Sequence, residues 1–186
     1  IKFQHKILTD EYKSLGIKPN VPSSQMIKKE IEEYDLADFI CVPSQYVKET
    51  FIKYGIKKDK IIKIPYGVDL KEFCVVESKK RKDNKFRIIS TGSISVRKGS
   101  HYLLEAFKEL SLPNSELIFV GSFDPDFKKI IKRYSNIKNI RFIKKQKQEL
   151  LKNFYNDSDI FVICSIEEGL AMVQAQAMAC GLPVIC

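Results

Sequence analysis

The chain has 186 residues, room for one large domain or parts of two smaller ones, and an apolar fraction of 44% is enough for an ordinary core. No apolar run approaches the ~20 residues of a membrane-spanning helix and the opening residues are not a secretory leader, so a cytoplasmic protein is expected. A formal charge of +9 suits an anionic partner such as an acidic membrane face or a phosphorylated substrate, equally with lysines that only solvate the surface; no RNA-binding aromatic signature or zinc-finger spacing points to nucleic acid.

In chain order, the first predicted strand is DFICV, Asp38–Val42. A helix capped by Ser44 and ending at Gly55 follows, then a strand KIIKI, Lys60–Ile64, leaving through Pro65–Asp69. The charged stretch from Val75 to Lys85 reads as a surface connection, and it sets the expected organisation: residues 1–74, a linker at 75–84, and a second lobe at 85–186. In that lobe short β-branched runs alternate with amphipathic helices. Phe86–Ser90 is a strand, and Ser100–Leu110 a helix with Tyr102, Leu103, Ala106, Phe107 and Leu110 on one face. Leu117–Val120 is the next strand, followed by a helix with Asp124 as N-cap and Pro125 at its first position. Ile140–Ile143, the helical Gln148–Tyr155, Asp159–Ile163, a helix within EGLAMVQAQAMACG, and Pro183–Cys186 complete the series. This βαβα order with apolar strands implies an α/β fold with a doubly wound parallel sheet. Both ends enter or leave mid-pattern, so a fragment of a longer protein is expected.

Lysines cluster at Lys79–Lys85, Lys128–Arg133 and Lys144–Lys147. The five cysteines are odd in number and lack C-x-x-C spacing, and His5 and His101 have no thiol or acid at ligand spacing. Neither disulfides nor a protein-bound metal are expected, the cysteines read mainly as small core residues, and His101 as a surface residue.

Ligands of an open parallel sheet sit beyond the carboxyl ends of its strands. After the strand at Phe86–Ser90 comes TGSISVRKG, Thr91–Gly99. Gly92 and Gly99 allow close backbone approach, and Arg97 and Lys98 place positive charge beside a helix start, which suits a phosphate or diphosphate. The loop is neither a Walker loop nor G-x-G-x-x-G. After the strand at Asp159–Ile163 comes Cys164–Gly169, where Glu167 reads as a helix-dipole partner and Glu168 as a group for a ligand hydroxyl. Amides at Gly169–Met172 offer a second share of phosphate binding. Gln176 reads as two helical turns beyond Glu168 and near the same face, in a helix that Val173, Ala175, Met178 and Ala179 mark as buried; its amide needs partners, from a ligand or from the core.

The stretch EGLAMVQAQAMACGLPVI resembles the nucleotide-sugar signature of family-four glycosyltransferases, retaining GT-B enzymes whose pattern is roughly E-G-F-G-L-x-x-x-E-A-M-A-x-G-x-P-V-I. Glu168, Gly169, Ala177, Met178, Ala179, Gly181, Pro183, Val184 and Ile185 match it. Ala37–Phe73 is similar to the family's crossing between lobes, and Arg97–Phe107 to its phosphate loop and following helix, so the resemblance runs from about Ala37 onward. It implies a GT-B fold, the end of an acceptor lobe joined to a donor-binding, Rossmann-like lobe that the chain leaves incomplete. It implies that Lys98 and Arg97 contact the donor diphosphate, that Glu168 faces the transferred sugar, and that Gly92 and the backbone at Gly169, Leu170, Ala171 and Met172 help hold the donor. Gln176 occupies the place of a ribose-binding glutamate, and the base is held near the loop after the third strand, Phe142–Lys144, with Phe142 and Ile143 as donor-binding residues. Three departures from the family stand out: Gln176 for the second glutamate, Leu170-Ala171 for Phe-Gly, and Ser93 for an arginine after the loop glycine.

The implied activity is transfer of a sugar from a nucleotide-diphosphate sugar to an acceptor hydroxyl with retention, in polysaccharide, lipopolysaccharide or glycolipid synthesis. No cofactor is expected beyond the sugar nucleotide itself, and no metal, because Arg97, Lys98 and helix dipoles can carry the diphosphate charge and no D-x-D metal motif is expected. Glu167 and Glu168 are adjacent in sequence and do not make a hydrolase carboxylate pair. The expected partners are a nucleotide sugar, a glycan or lipid-linked acceptor, and a peripheral membrane contact at the inner face. A non-catalytic sugar-nucleotide-binding partner and a GT-B-like epimerase or phosphorylase stand as alternatives.

Overall fold

A computed structural model describes residues 1–76 and 83–186; residues 77–82, within the expected linker and the lysine run at Lys79–Lys85, lie outside the described residues. The chain divides into two compact units, Ile1–Gly67 with Glu167–Ala171, and Val68–Ile166 with Met172–Cys186.

The first unit holds three helices, α1 (Lys2–Ser14), α2 (Ser24–Leu36) and α3 (Gln45–Lys53), and two short strands, β1 (Ile40–Val42) and β2 (Ile61–Lys63), paired in parallel with Ile40 opposite Ile61. Serines start two of the helices: Ser23 Oγ accepts from the Met26 amide and Ser44 Oγ from the Val47 amide, each at 3.2 Å. Gly55 stops α3 with φ +94, and the amide of Ile56 turns back to the Phe51 carbonyl at 3.1 Å, a glycine-terminated C-cap. Leu8 and Tyr12 are the buried face of α1.

The second unit is a five-stranded parallel sheet. Its strands are β3 (Phe86–Thr91), β4 (Ser115–Val120), β5 (Ile140–Ile143), β6 (Ile160–Val162) and β7 (Val184–Ile185), in spatial order β5-β4-β3-β6-β7. The helices are α4 (Ser100–Leu110), the single-turn α5 (Phe127–Ile131), α6 (Gln148–Asn156) and α7 (Met172–Ala179). All six residues of β4 are buried, as a parallel strand between two neighbours requires. The core is built from Ile89, Leu104, Leu117, Phe119, Phe127, Tyr155 and Phe161. From β3 the chain steps outward to β4 and β5, then returns past β3 to β6, so the order reverses between β3 and β6.

Several expectations are corrected. The inward face of α4 is Ser100, His101, Leu103, Leu104 and Phe107, while Tyr102, Ala106 and Leu110 are exposed. Burial of Leu103, Leu104 and Phe107 sets this face, and at its first turn the Ser100 hydroxyl accepts from the buried Ser95 amide at 3.2 Å. His101 is therefore buried, its ring 4.2 Å from that of Tyr102. The helix after β4 starts at Phe127, because Asp124 is used elsewhere: its carboxylate accepts from Ser93 and its carbonyl from the Phe127 amide. Of the cysteines only Cys180 is buried; Cys41 and Cys186 are exposed. Phe73 and Cys74, assigned by sequence to the first lobe, pack in the second unit, where Phe73 lies 6.2 Å from Tyr155 and the Cys74 carbonyl accepts from Asn156 at 3.0 Å.

At the amino end of β3 the nearly buried Arg87 pairs with Glu116 at 3.2 Å, Asp157 at 3.3 Å and Asp83, and Arg141 reaches the same Glu116 at 3.4 Å. Burial alone pulls the Arg87 guanidinium down, and the surrounding carboxylates, Asp157 foremost, outweigh it and raise its pKa. Among the described residues, no helix is long and apolar enough to cross a membrane.

Candidate functional site

The two loops at the reversal of strand order are locked together. The loop after β3 folds on itself, with the Ser95 hydroxyl accepting from the Lys98 amide at 3.2 Å and the Gly99 amide donating to the Val96 carbonyl at 2.8 Å. Gly99 then passes the loop after β6 so closely, at φ +61, that a Cβ there would lie 1.8 Å from the Cys164 carbonyl oxygen. The Ile166 amide donates to the Arg97 carbonyl at 3.0 Å. Gly99 is thus demanded by both conformation and contact. Arg97 and Lys98, half-buried, sit on this clamped turn just before the N-terminus of α4, where helix dipole and side-chain charge add. Gly92, at φ +119, turns the chain out of β3, and the loop after β4 lies against it: a Cβ on Gly121 would meet the Gly92 carbonyl at 1.6 Å.

A cleft of about 260 Å³ opens beside these loops, at the carboxyl ends of the strands. Its walls are the end of β3 (Thr91, Gly92, Ser93), the end of β4 (Val120, Gly121, Ser122), Lys145 and Gln146 after β5, Leu151 of α6 and Val173 of α7. The place is the one where open α/β sheets bind ligands. Ser93, standing where the family has an arginine, donates to Asp124 at 2.8 Å and so serves to hold the two loops. Phe142 stacks on Phe119 with centroids 5.4 Å apart and meets Phe123 at 5.1 Å, while the Ile143 carbonyl accepts from the Gly121 amide. A second, apolar hollow of about 200 Å³ in the first unit lies among α1, α2 and α3, lined by Ile31, Tyr34 and Phe51, with no strand ends beside it.

Gln176 is buried on α7, and Tyr155 of α6 donates to its Oε1 at 3.4 Å. Tyr155 in turn shares a 2.8 Å hydrogen bond with Thr91. Burial pushes the Tyr155 phenol up to about 12, the Thr91 bond opposing it slightly. Because α7 begins only at Met172, Glu168 is not on this helix and shares no helical face with Gln176. Met172 and Met178 are exposed, and burial on α7 is concentrated at Gln176 and Ala177.

Glu168, Gly169, Leu170 and Ala171 belong to the first unit. There Gly169 lies against α3, a Cβ at its position being 3.1 Å from Val47 and 3.6 Å from Pro43, and Glu167 accepts from Gln4 at 3.0 Å. Gly92, Arg97, Lys98, Phe142, Ile143, Met172 and Gln176 are brought into the second unit.

Sequence reasoning missed the cleft residues Lys145, Gln146 and Leu151, and the Thr91–Tyr155 link; none carries a motif, and only the strand order joins them. The expected absence of a D-x-D motif is wrong, since the sequence has two Asp-x-Asp triplets, Asp124–Asp126 and Asp157–Asp159. Asp124 holds Ser93, Asp157 holds Arg87, and Asp159 accepts from the Arg87 amide at 2.7 Å, so these three acids have structural partners, while Asp126 keeps one buried carboxylate oxygen without a hydrogen bond among the described residues. Among the described residues, no group of three or more His, Cys, Asp or Glu converges as a metal site would require.

The family model for glycosyl transferases group 1 matches residues 75–186. The chain belongs to this family. An uncharacterised family relative, a glycosyltransferase of Methanocaldococcus jannaschii, is 26% identical over 83% of this chain and 43% of its own length. A GDP-mannose-dependent monoacylated alpha-(1-6)-phosphatidylinositol monomannoside mannosyltransferase of Corynebacterium glutamicum is 25% identical over 88% of this chain and 47% of its own. Among solved structures, Anabaena HepE in complex with UDP-glucose superposes with a TM-score of 0.74 at 22% identity, covering 97% of this chain and 51% of HepE. Sucrose-phosphate synthase of Thermosynechococcus elongatus gives 0.72 at 22%, with coverage of 97% and 48%. These likenesses establish the GT-B fold. The chain spans about half the length of these relatives.

Proposed function

We propose that the protein carrying this chain transfers a sugar from a nucleotide-diphosphate sugar to an acceptor hydroxyl with retention of configuration, in polysaccharide, lipopolysaccharide or glycolipid synthesis. The observation that carries this reading is the clamped pair of loops at the reversal of strand order, presenting Arg97 and Lys98 at the start of α4. Breaking a glycosidic bond to diphosphate leaves negative charge on the departing group, and preorganised positive charge there lowers the barrier most. Lys98, Arg97 and the α4 dipole supply it without a metal ion. Gly92 and the first turn of α7 at Met172 take a share of the phosphates, Gln176 meets the ribose, and the base lies toward the end of β5, near Phe142 and Ile143. Glu168, with Gly169, Leu170 and Ala171, faces the sugar. HepE, described with UDP-glucose, and the GDP-mannose-dependent relative support a sugar nucleotide as donor. The acceptor is a glycan or a lipid-linked chain, and the protein works in the cytoplasm with peripheral contact at the inner membrane face.

The test is release of nucleoside diphosphate from UDP-glucose, GDP-mannose and ADP-glucose by the full-length protein with and without EDTA. Turnover that survives EDTA and falls at least about a hundredfold in Lys98→Ala supports the reading, since losing one stabilising donor costs about 10²–10³ in rate. Turnover restored to EDTA-treated protein only by added Mn²⁺ or Mg²⁺ contradicts metal independence. The neutral, core-bonded Gln176 favours one second reading, a non-catalytic sugar-nucleotide-binding partner. Binding of a donor with no turnover by the purified protein selects it.

A further inference from the structure

Three polar side chains that no family signature joins form a line behind the cleft wall. Thr91 lines the cleft itself, Tyr155 is one helical turn beyond the cleft residue Leu151, and Gln176 one turn beyond Val173. Tyr155 is fully buried, its ring fixed by Phe73 at 6.2 Å and Phe161 at 6.0 Å. A phenol has one proton. Either hydroxyl can donate in the 2.8 Å bond between Thr91 and Tyr155; with Thr91 as donor the phenol proton is left for Gln176 Oε1 at 3.4 Å, and the line runs in one direction from β3 to α7.

We propose that Tyr155 is a positioning residue of the nucleotide cleft, holding the Gln176 carbonyl toward itself so that the amide NH2 is the end left for an accepting oxygen of the nucleoside ribose. This rests on the reading of Gln176 as the ribose contact. A carboxylate at this position would accept from tyrosine and ligand alike, with two equivalent oxygens. An amide has two unlike ends, and something must choose between them. The buried phenol does so, and with a pKa of about 12 it stays protonated at every pH where the enzyme would work.

The test is calorimetric titration of the full-length protein with UDP, GDP and ADP, each beside its 2′-deoxy and 3′-deoxy forms. Wild type is expected to prefer one ribonucleotide over a deoxy form by about fivefold, the worth of one hydrogen bond. Tyr155→Phe is expected to bring that ratio within about twofold while still binding, and Gln176→Ala to do the same. Thr91→Val, which cuts the line at its other end, provides a second variant should Tyr155→Phe not fold, and is expected to reduce the ratio as well. A variant that folds, binds and keeps the wild-type ratio makes Tyr155 a packing residue only and overturns the proposal, leaving the cleft reading intact. Wild type that binds a nucleotide without preferring the ribo form overturns both the ribose contact and the proposal. Wild type that binds none of the three overturns the cleft reading itself.

Discussion

At the scale of single residues, the site depends on a few positions with no tolerance. Gly99 is one: alanine there would force a left-handed backbone, costing ~1–3 kcal/mol, and drive its methyl into the Cys164 carbonyl. Gly99→Ala is expected to lower the melting temperature and to loosen Arg97 and Lys98 together, seen as lost nucleotide affinity. Tyr155 is another. Its folded pKa of about 12 stands above the unfolded value near 10, so the native state holds that proton more tightly. The stability it contributes is complete below about pH 10 and is lost as pH rises through about 12. Urea unfolding of wild type and Tyr155→Phe at about pH 9 and about pH 11.5 measures this: the wild-type advantage is expected to shrink at the higher value. An unchanged gap would mean that the phenol is not held in a dry site.

At the scale of elements, the Arg87 cluster ties β3 to β4 at the amino end of the sheet, opposite the ligand loops. Arg87→Met leaves Glu116 buried with, among the described residues, Arg141 alone to offset it, and is expected to cost about 3 kcal/mol, recovered in large part by adding Glu116→Leu. Urea denaturation of the single and double variants reads this out; a double variant as unstable as the single one would show that the pair is not the reason. The strands and most helices were legible because their signals are local: β-branched runs for β3 to β6, Ser44 and Gly55 bracketing α3. The phase of α4 was misread because the helix has apolar residues on two faces, and the one that is buried runs through Leu103, Leu104 and Phe107 while Tyr102, Ala106 and Leu110 face out. The helix after β4 was placed too early, since Asp124 looks like a cap in sequence but is claimed by Ser93, 31 residues away. The helices α1 and α2 carry few apolar residues and drew no expectation. At the site, Arg97, Lys98 and Gly92 are readable from a loop between a strand and a helix, whereas Tyr155 and Thr91 meet only through packing of α6, α7 and β3.

At the scale of the whole molecule, the second unit is a parallel sheet with its strand order reversing between β3 and β6, and the family match at residues 75–186 falls almost wholly within it. What holds the sheet together and what would hold the donor lie at opposite ends of the same strands, so the Arg87 cluster can be weakened without touching the cleft. The central claim is that the cleft and the clamped loops bind a nucleotide diphosphate. The most direct measurement is the thermal shift of the full-length protein with UDP, GDP and ADP, in wild type and in Lys98→Ala. One nucleotide at a hundredfold excess over its Kd is expected to stabilise wild type by about 2.7 kcal/mol, and Lys98→Ala to lose that ligand-induced stabilisation. A folded wild-type protein shifted by none of the three, or shifted equally with Lys98 removed, would contradict it.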